Sequence, residues 1–79
     1  MARVELYGST RCPYTSELRE WLEWKGVEFD EYDVDVDDQA LTRMCEATGG
    51  NRMVPVLIED GKVTRVGWQG RGCIAGRPT

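Results

Sequence analysis

At Pro13 the hydrophobic period of this chain changes from two residues to about 3.6, and that switch constrains the fold more than any other feature. Upstream, Val4 and Leu6 alternate with Arg3 and Glu5, and Tyr7 follows, which predicts a short strand ending at Gly8. Downstream, Tyr14, Leu18, Trp21, Leu22 and Lys25 recur at helical spacing, while Glu17, Arg19, Glu20 and Glu23 fall elsewhere on the cylinder. Proline suits the first helical position and glycine the position just past the last. Pro13 and Gly26 therefore bracket a helix over about 13–25. A strand that feeds a helix and then a second strand returns as a right-handed crossover to a parallel neighbour.

Further along, "VEFDEYDVDV" is strand-like through Val27, Phe29, Tyr32 and Val34, with its alternation slipping near Glu31. Asp37 and Asp38 are N-cap candidates. Leu41, Met44, Cys45 and Thr48 then follow at i, i+3, i+4, i+7, and Gly49-Gly50 closes a second helix. "MVPVLI" predicts one buried strand, Asp60-Gly61 a tight hairpin turn, and "KVTRVGW" its partner strand. The stretch from Gly67 to Thr79 is rich in glycine and arginine and has no clear period. The order is β-α-β-α-β-β, an α/β class in which a mixed four-stranded sheet with helices packed on it satisfies both the crossover and the hairpin.

Composition narrows the functions. A chain of 79 residues supports one modest core and one domain. A net charge of −4, with arginines scattered among acids, argues against nucleic acid, which needs a clustered basic face. No apolar run approaches the roughly 20 residues needed to span a bilayer, and "MARVELYGS" lacks the apolar segment of a signal peptide. The expected location is the cytoplasm, and a monomer is expected. The absence of histidine excludes Ser-His-Asp and Cys-His activation within the chain and removes the commonest zinc ligand. Cys12, Cys45 and Cys73 form no Cys-x-x-Cys pair, so no metal site is expected. The acidic run Asp33, Asp35, Asp37, Asp38 lacks the glycine and distal glutamate of a calcium loop and reads as capping and solvation. What remains is reactive thiol chemistry, or three inert buried cysteines.

Cys12 has the placement that activates a thiol. It falls between a strand end and the N-terminus of the first helix, where unpaired N–H groups and the helix dipole favour an anion. Such a site beside a cation lowers a thiol pKa from about 8.5 into the range of roughly 3.5–7.5. Arg11 is the adjacent cation, and Pro13 starts the helix without adding a donor. Thr15 offers a hydroxyl that can hydrogen-bond the sulfur. Glu17, about one turn in, opposes the thiolate mildly.

"CPYT" opening the first helix, "RMVP" opening the third strand and "VG" ending the fourth together resemble the glutaredoxins, over roughly residues 2 to 68. The likeness is greatest to a prokaryotic branch whose relatives can carry selenocysteine at the first motif position. The resemblance implies a thioredoxin-like fold with a missing or very short closing helix, a domain over 1–68 and a Gly/Arg-rich tail over 69–79. It implies Cys12 as nucleophile, Tyr14 as the aromatic flanking a bound thiol, and Val54-Pro55 as a cis dipeptide whose backbone pairs with the glutathione cysteine. Arg52 would meet a glutathione carboxylate. Met53, in place of the usual threonine, together with Gly67 and Trp68 would complete the glutathione or substrate surface. Three departures stand out. Ser9 replaces the usual lysine, Trp68, Gln69 and Gly70 replace Cys-Asp-Asp, and too few residues remain for the closing helix.

Cys45 lies on the apolar face of the second helix and is expected in the core. Trp21 likewise reads as core, and Trp24 as a helix edge. Cys73, among Gly70, Gly72 and Gly76, is expected to resolve a sulfenic acid or mixed disulfide on Cys12. The expected function is that of a monothiol glutaredoxin-like thiol–disulfide oxidoreductase. Its clients would be protein disulfides or glutathione mixed disulfides, with glutathione or a similar small thiol as co-substrate and Cys73 as a second candidate for release. Two alternatives stand beside it: an iron–sulfur carrier using Cys12 plus glutathione, and, from "WQG", a redoxin fed by thioredoxin reductase.

Overall fold

A computed structural model describes residues 3–75. The alternation before Pro13 forms β1 (Val4–Gly8), and the helical spacing after it forms α1 (Pro13–Trp24). The chain continues through β2 (Asp30–Asp33), α2 (Asp38–Thr48), β3 (Met53–Val54), β4 (Val56–Glu59), β5 (Lys62–Val66) and β6 (Cys73–Ile74). The expected mixed sheet has the order β2-β1-β4-β5, with β1 parallel to β2 and antiparallel to β4. The parallel pair is the crossover anticipated at Pro13. Among the described residues no helix follows β5, and none is long and apolar enough to cross a membrane.

Strand alternation divides the apolar side chains between two faces. On one face Val4, Leu6 and Leu57 meet Leu18 and Leu22 of α1. On the other, Tyr7, Val56 and Ile58 meet Ala40 and Met44 of α2, together with Val34, Val54 and Ala75. Tyr14 packs against both groups and so sits where the two cores meet. Tyr7 stacks on Tyr32 with ring centroids 5.0 Å apart, and Arg43 lies over both rings while donating to the Tyr7 hydroxyl at 3.3 Å. Burial pushes the Tyr7 phenol above its ordinary pKa, partly offset by the Arg43 hydrogen bond.

Three expectations are corrected. The strand expected from Val27 pairs only from Asp30, because Val27 and Phe29 pack towards α1 instead. "MVPVLI" is not one strand. Pro55 has no N–H to give a ladder, and the run splits there into β3 and β4, with β3 outside the main sheet. The Val54–Pro55 peptide is cis, as the resemblance implies. The aperiodic stretch after Val66 returns to the fold. Trp68 and Arg71 exchange backbone hydrogen bonds of 2.6 and 2.9 Å, β6 pairs antiparallel with β3, and Ala75 is buried. The part of that stretch over residues 76–79 lies outside the described residues.

Local chemistry pins the remaining junctions. Asp60 and Gly61 both have positive φ (52° and 81°), as a two-residue hairpin turn requires. The Asp60 carboxylate accepts from the Arg3 N–H at 2.8 Å, tying the hairpin to β1. Asp37 caps α2, its Oδ1 accepting from the N–H groups of Gln39 and Ala40 at 3.1 Å each. Asp37→Ala leaves both donors without that partner and is expected to lower unfolding free energy by about 0.5–2 kcal/mol. Denaturant titration measures this, and Cys12 reactivity in the folded protein should not change.

Candidate active site

The loop from Ser9 to Cys12 is built from hydrogen bonds rather than apolar contacts. The Cys12 N–H donates to the Ser9 carbonyl at 3.1 Å, closing a turn that delivers Cys12 to the N-cap of α1. The Ser9 hydroxyl is hydrogen-bonded to Asp35 and accepts from the Arg11 N–H at 3.2 Å. The Arg11 guanidinium pairs with the same Asp35 carboxylate at 3.6 Å. Asp35, from the loop after β2, therefore holds the loop after β1.

Thr15 is fully buried and its hydroxyl accepts from the Ser9 N–H at 3.3 Å. The expected hydrogen bond from this hydroxyl to the Cys12 sulfur is not found among the described residues; the oxygen braces the Ser9 N–H instead. A β-carbon on Gly8 would lie 2.2 Å from the Thr15 methyl, so glycine is required where β1 passes the helix. Arg11 is likewise drawn to Asp35, which neutralises part of the charge expected to act on Cys12.

Cys12 is 1% exposed and is disulfide-bonded to Cys73, 61 residues later, with Cα atoms 5.9 Å apart. That separation is ordinary for a disulfide. The Cys12 sulfur also lies 3.9 Å from the Val54 carbonyl oxygen. Cys73 reaches it because β6 pairs with β3 in the register Val54↔Cys73, Met53↔Ile74. The Ala75 N–H extends the pairing by donating to the Arg52 carbonyl at 2.7 Å.

Most residues expected at the site gather around this junction. Met53, Val54 and Pro55 line it, and the Pro55 carbonyl accepts from the Gly67 N–H at 2.7 Å. Gly67 has φ 79°, and a β-carbon there would lie 2.7 Å from the Arg71 carbonyl oxygen. Arg52 is exposed, and among the described residues it makes no ion pair. Tyr14 is half-buried and Pro13 exposed beside Cys12. Trp68 is the exception. It is 8% exposed in the α1-side core, where its indole N–H donates to Glu17 at 3.1 Å. Its ring lies 5.7 Å from Trp21, with Arg65 over both rings. Its expected place on a substrate surface is corrected: an indole beside an apolar helix face and a carboxylate acceptor is better satisfied inside. Cys45 is also corrected, being half-buried and free while Ala40 and Met44 fill the core positions of α2. Trp24 is exposed at the helix edge.

The glutaredoxin family model matches residues 4–64, more than half of the chain. The chain belongs to the glutaredoxin family. A probable glutaredoxin of Synechocystis sp., slr1562, is 44% identical over 57 residues, covering 72% of this chain and 52% of that protein. A second from the same organism, ssr2061, is 36% identical over 59 residues, covering 75% and 67%. The match thus spans about half the length of the first relative. Among solved structures, a point mutant of the thioredoxin-like protein BC3987 gives a TM-score of 0.77 at 29% identity, over 87% of this chain and 86% of that one. The Archaeoglobus fulgidus glutaredoxin grx-1 gives 0.71 at 25% identity, over 87% and 78%. A buckwheat glutaredoxin–glutathione complex shares the fold with a TM-score of 0.69 at 22% identity, over 84% and 61%.

Within this glutaredoxin frame, two positions that brace the site escape a sequence reading. Asp35 carries no distinguishing period in an acidic run, and Glu17 reads as solvated until Trp68 is found above it. Among the described residues no three cysteine, aspartate or glutamate side chains converge as a metal site.

Two outcomes follow from this geometry. Non-reducing mass spectrometry of the oxidised protein should show a Cys12–Cys73 cross-linked peptide, with Cys45 alone taking up alkylating reagent. Asp35→Asn removes an anion near the loop and frees Arg11, so Cys12 should become reactive at lower pH. The ultraviolet thiolate absorbance of the Cys73→Ser chain, with and without Asp35→Asn, measures that shift.

Proposed function

We propose that the protein is a thiol–disulfide oxidoreductase cycling Cys12 between thiolate, mixed disulfide and an internal disulfide with Cys73. One observation carries the reading. The cysteine at the N-terminus of α1 is covalently joined to a distant cysteine held beside it by strand pairing. A cytosolic disulfide is more often catalytic than structural, and the cytoplasm is the proposed location.

In the proposed cycle the Cys12 thiolate attacks one sulfur of a protein disulfide or glutathione mixed disulfide. The substrate S–S bond breaks and its other sulfur leaves as a thiolate. The Cys73 thiolate then attacks the Cys12 sulfur, releasing the second substrate thiolate and forming Cys12–Cys73. Two electrons pass to the substrate. Two equivalents of glutathione or a similar small thiol reduce the enzyme again and leave joined as a disulfide. Small thiols can also release the mixed disulfide directly, the monothiol route that the motif implies. Helix α1 lowers the cost of the thiolate at Cys12, and Pro13 permits the helix to begin there. Tyr14 and the exposed Arg52 flank the junction and are proposed to meet the bound thiol and its carboxylate.

Family membership supports glutathione as co-substrate, as does the buckwheat glutaredoxin solved with it. Cys73 favours the oxidoreductase over an iron–sulfur carrier, because it supplies Cys12 with a thiol partner inside the same chain. The burial of Trp68 explains "WQG" by packing, so the reductase-fed reading has less support. The protein is taken to act as a monomer on disulfide-containing clients.

A glutathione-coupled turnover assay tests this. Cys12→Ser should lower turnover at least about 100-fold, since the nucleophile is lost. Cys73→Ser should slow reduction of a protein disulfide while reduction of a glutathione mixed disulfide continues. Full activity in Cys12→Ser would refute the assignment.

A further inference from the structure

The α1-side face of the sheet carries a feature that the thiol chemistry does not use. Between the C-terminal half of α1 and the edge strand β5 lies a cavity of about 180 Å³. Val4, Trp21, Leu22, Val27 and Leu57 give it an apolar lining. Lys25 from the helix end and Arg65 from β5 bring two cations to it. Both are held against indole rings. The Lys25 ammonium lies 5.0 Å from the Trp21 ring, and the Arg65 guanidinium 5.4 Å from Trp21 and 5.3 Å from Trp68. The chain has 14 acidic residues against 10 basic, so carboxylates are in excess. Even so, neither cation makes an ion pair among the described residues. Glu59, the carboxylate that lines the cavity, accepts from the Thr64 hydroxyl at 2.7 Å instead. Next to Lys25, and one helical turn from Trp21, Trp24 is 82% exposed.

We infer that this cavity is a docking site for an acidic segment of a partner protein. The segment seats one phenylalanine-sized side chain in the cavity and sets its flanking carboxylates against Lys25 and Arg65. Size selects the side chain, since an apolar cavity of roughly 150 Å³ holds one benzene. Charge selects the flanks. Two cations without carboxylate partners border an apolar hollow, on a chain whose net charge of −4 otherwise repels acidic segments. The exposed indole of Trp24 favours a polypeptide over a free small molecule. A ring-sized ligand fills the cavity and stops there, whereas the residues flanking a docked side chain also cover Trp24, the residue type that most often anchors protein contacts.

The site is remote from the reacting sulfur. Nine positions of α1 separate Cys12 from Trp21, about 14 Å of helix rise, so an occupant does not cover the Cys12–Cys73 junction. A partner moored there by one segment presents the rest of its surface to Cys12 at raised local concentration. The binding itself does not rest on the proposed chemistry.

The test uses the oxidised full chain, in which Cys12 is already joined to Cys73, so failure of docking and failure of the proposed function are read separately. The probe is the blocked pentapeptide Asp-Glu-Phe-Glu-Asp, titrated at low salt and followed by tryptophan fluorescence, because Trp21 lines the cavity. Alanine for the peptide phenylalanine should weaken binding at least about tenfold. Lys25→Glu in the protein should weaken it about fivefold; Lys25 is exposed, so this change leaves the core intact. The fivefold loss should disappear in about 1 M sodium chloride, where screening acts beyond about 3 Å. Equal binding by the alanine peptide, equal binding by Lys-Lys-Phe-Lys-Lys, or no fluorescence change at millimolar peptide would overturn the docking site. Phenylpropionate binding as tightly as the pentapeptide would overturn it in favour of a small organic anion. Self-association of the chain that Lys25→Glu abolishes would overturn it in favour of a second copy.

Discussion

Pro55 divides one apolar run into two strands, and the arrangement of the site depends on that division. Without an N–H at this position the chain cannot continue a single ladder from Met53 to Glu59. β4 joins the centre of the sheet, while β3 is left beside Cys12 with its own edge free for pairing. That edge receives β6, which brings Cys73 opposite Val54. The proline lies between the load of the core, carried by Val56, Leu57 and Ile58, and the chemistry of the site.

The chain has no histidine, so in the proposed function the environment of Cys12 has to do what a base would otherwise do. The helix N-terminus favours the thiolate. Against it stand the Val54 carbonyl oxygen at 3.9 Å and the carboxylate of Asp35, which engages Arg11. The same Asp35 binds Ser9 and so fixes the loop that positions Cys12. Thr15 adds rigidity from the other side, its methyl against Gly8 and its hydroxyl on the Ser9 N–H. The position where a second motif cysteine would stand is here a buried brace for the loop.

β1, α1 and α2 were legible because each has enough residues for its period to show, and because Pro13, Gly26, Asp37 and Gly49 mark their ends. The Asp60-Gly61 turn was legible from two residues, since few other pairs tolerate both positive φ values. β6 was not, because Cys73 and Ile74 are too few to alternate and the strand is held by its partner's backbone. Cys12 and Cys73 could be nominated from residue type and surrounding glycines, but their junction depends on a fold that closes 61 residues. Trp68 was misplaced for a related reason. Its deciding partner, Glu17, is 51 positions away, and nothing local distinguishes an indole bound for the core from one at a surface.

Trp68 also sets the reach of the arm that follows it. The indole is held under Arg65 and against Glu17, which moors the chain at that point. Cys73 comes five residues later, and the turn that pairs Trp68 with Arg71 shortens the span between them further. A thiol on so short a leash experiences Cys12 at an effective concentration on the order of millimolar to tens of millimolar. Any free thiol that is to intercept the mixed disulfide must be present at comparable concentration. In the proposed cycle, the choice between internal and external release is therefore governed by how much small thiol surrounds the protein.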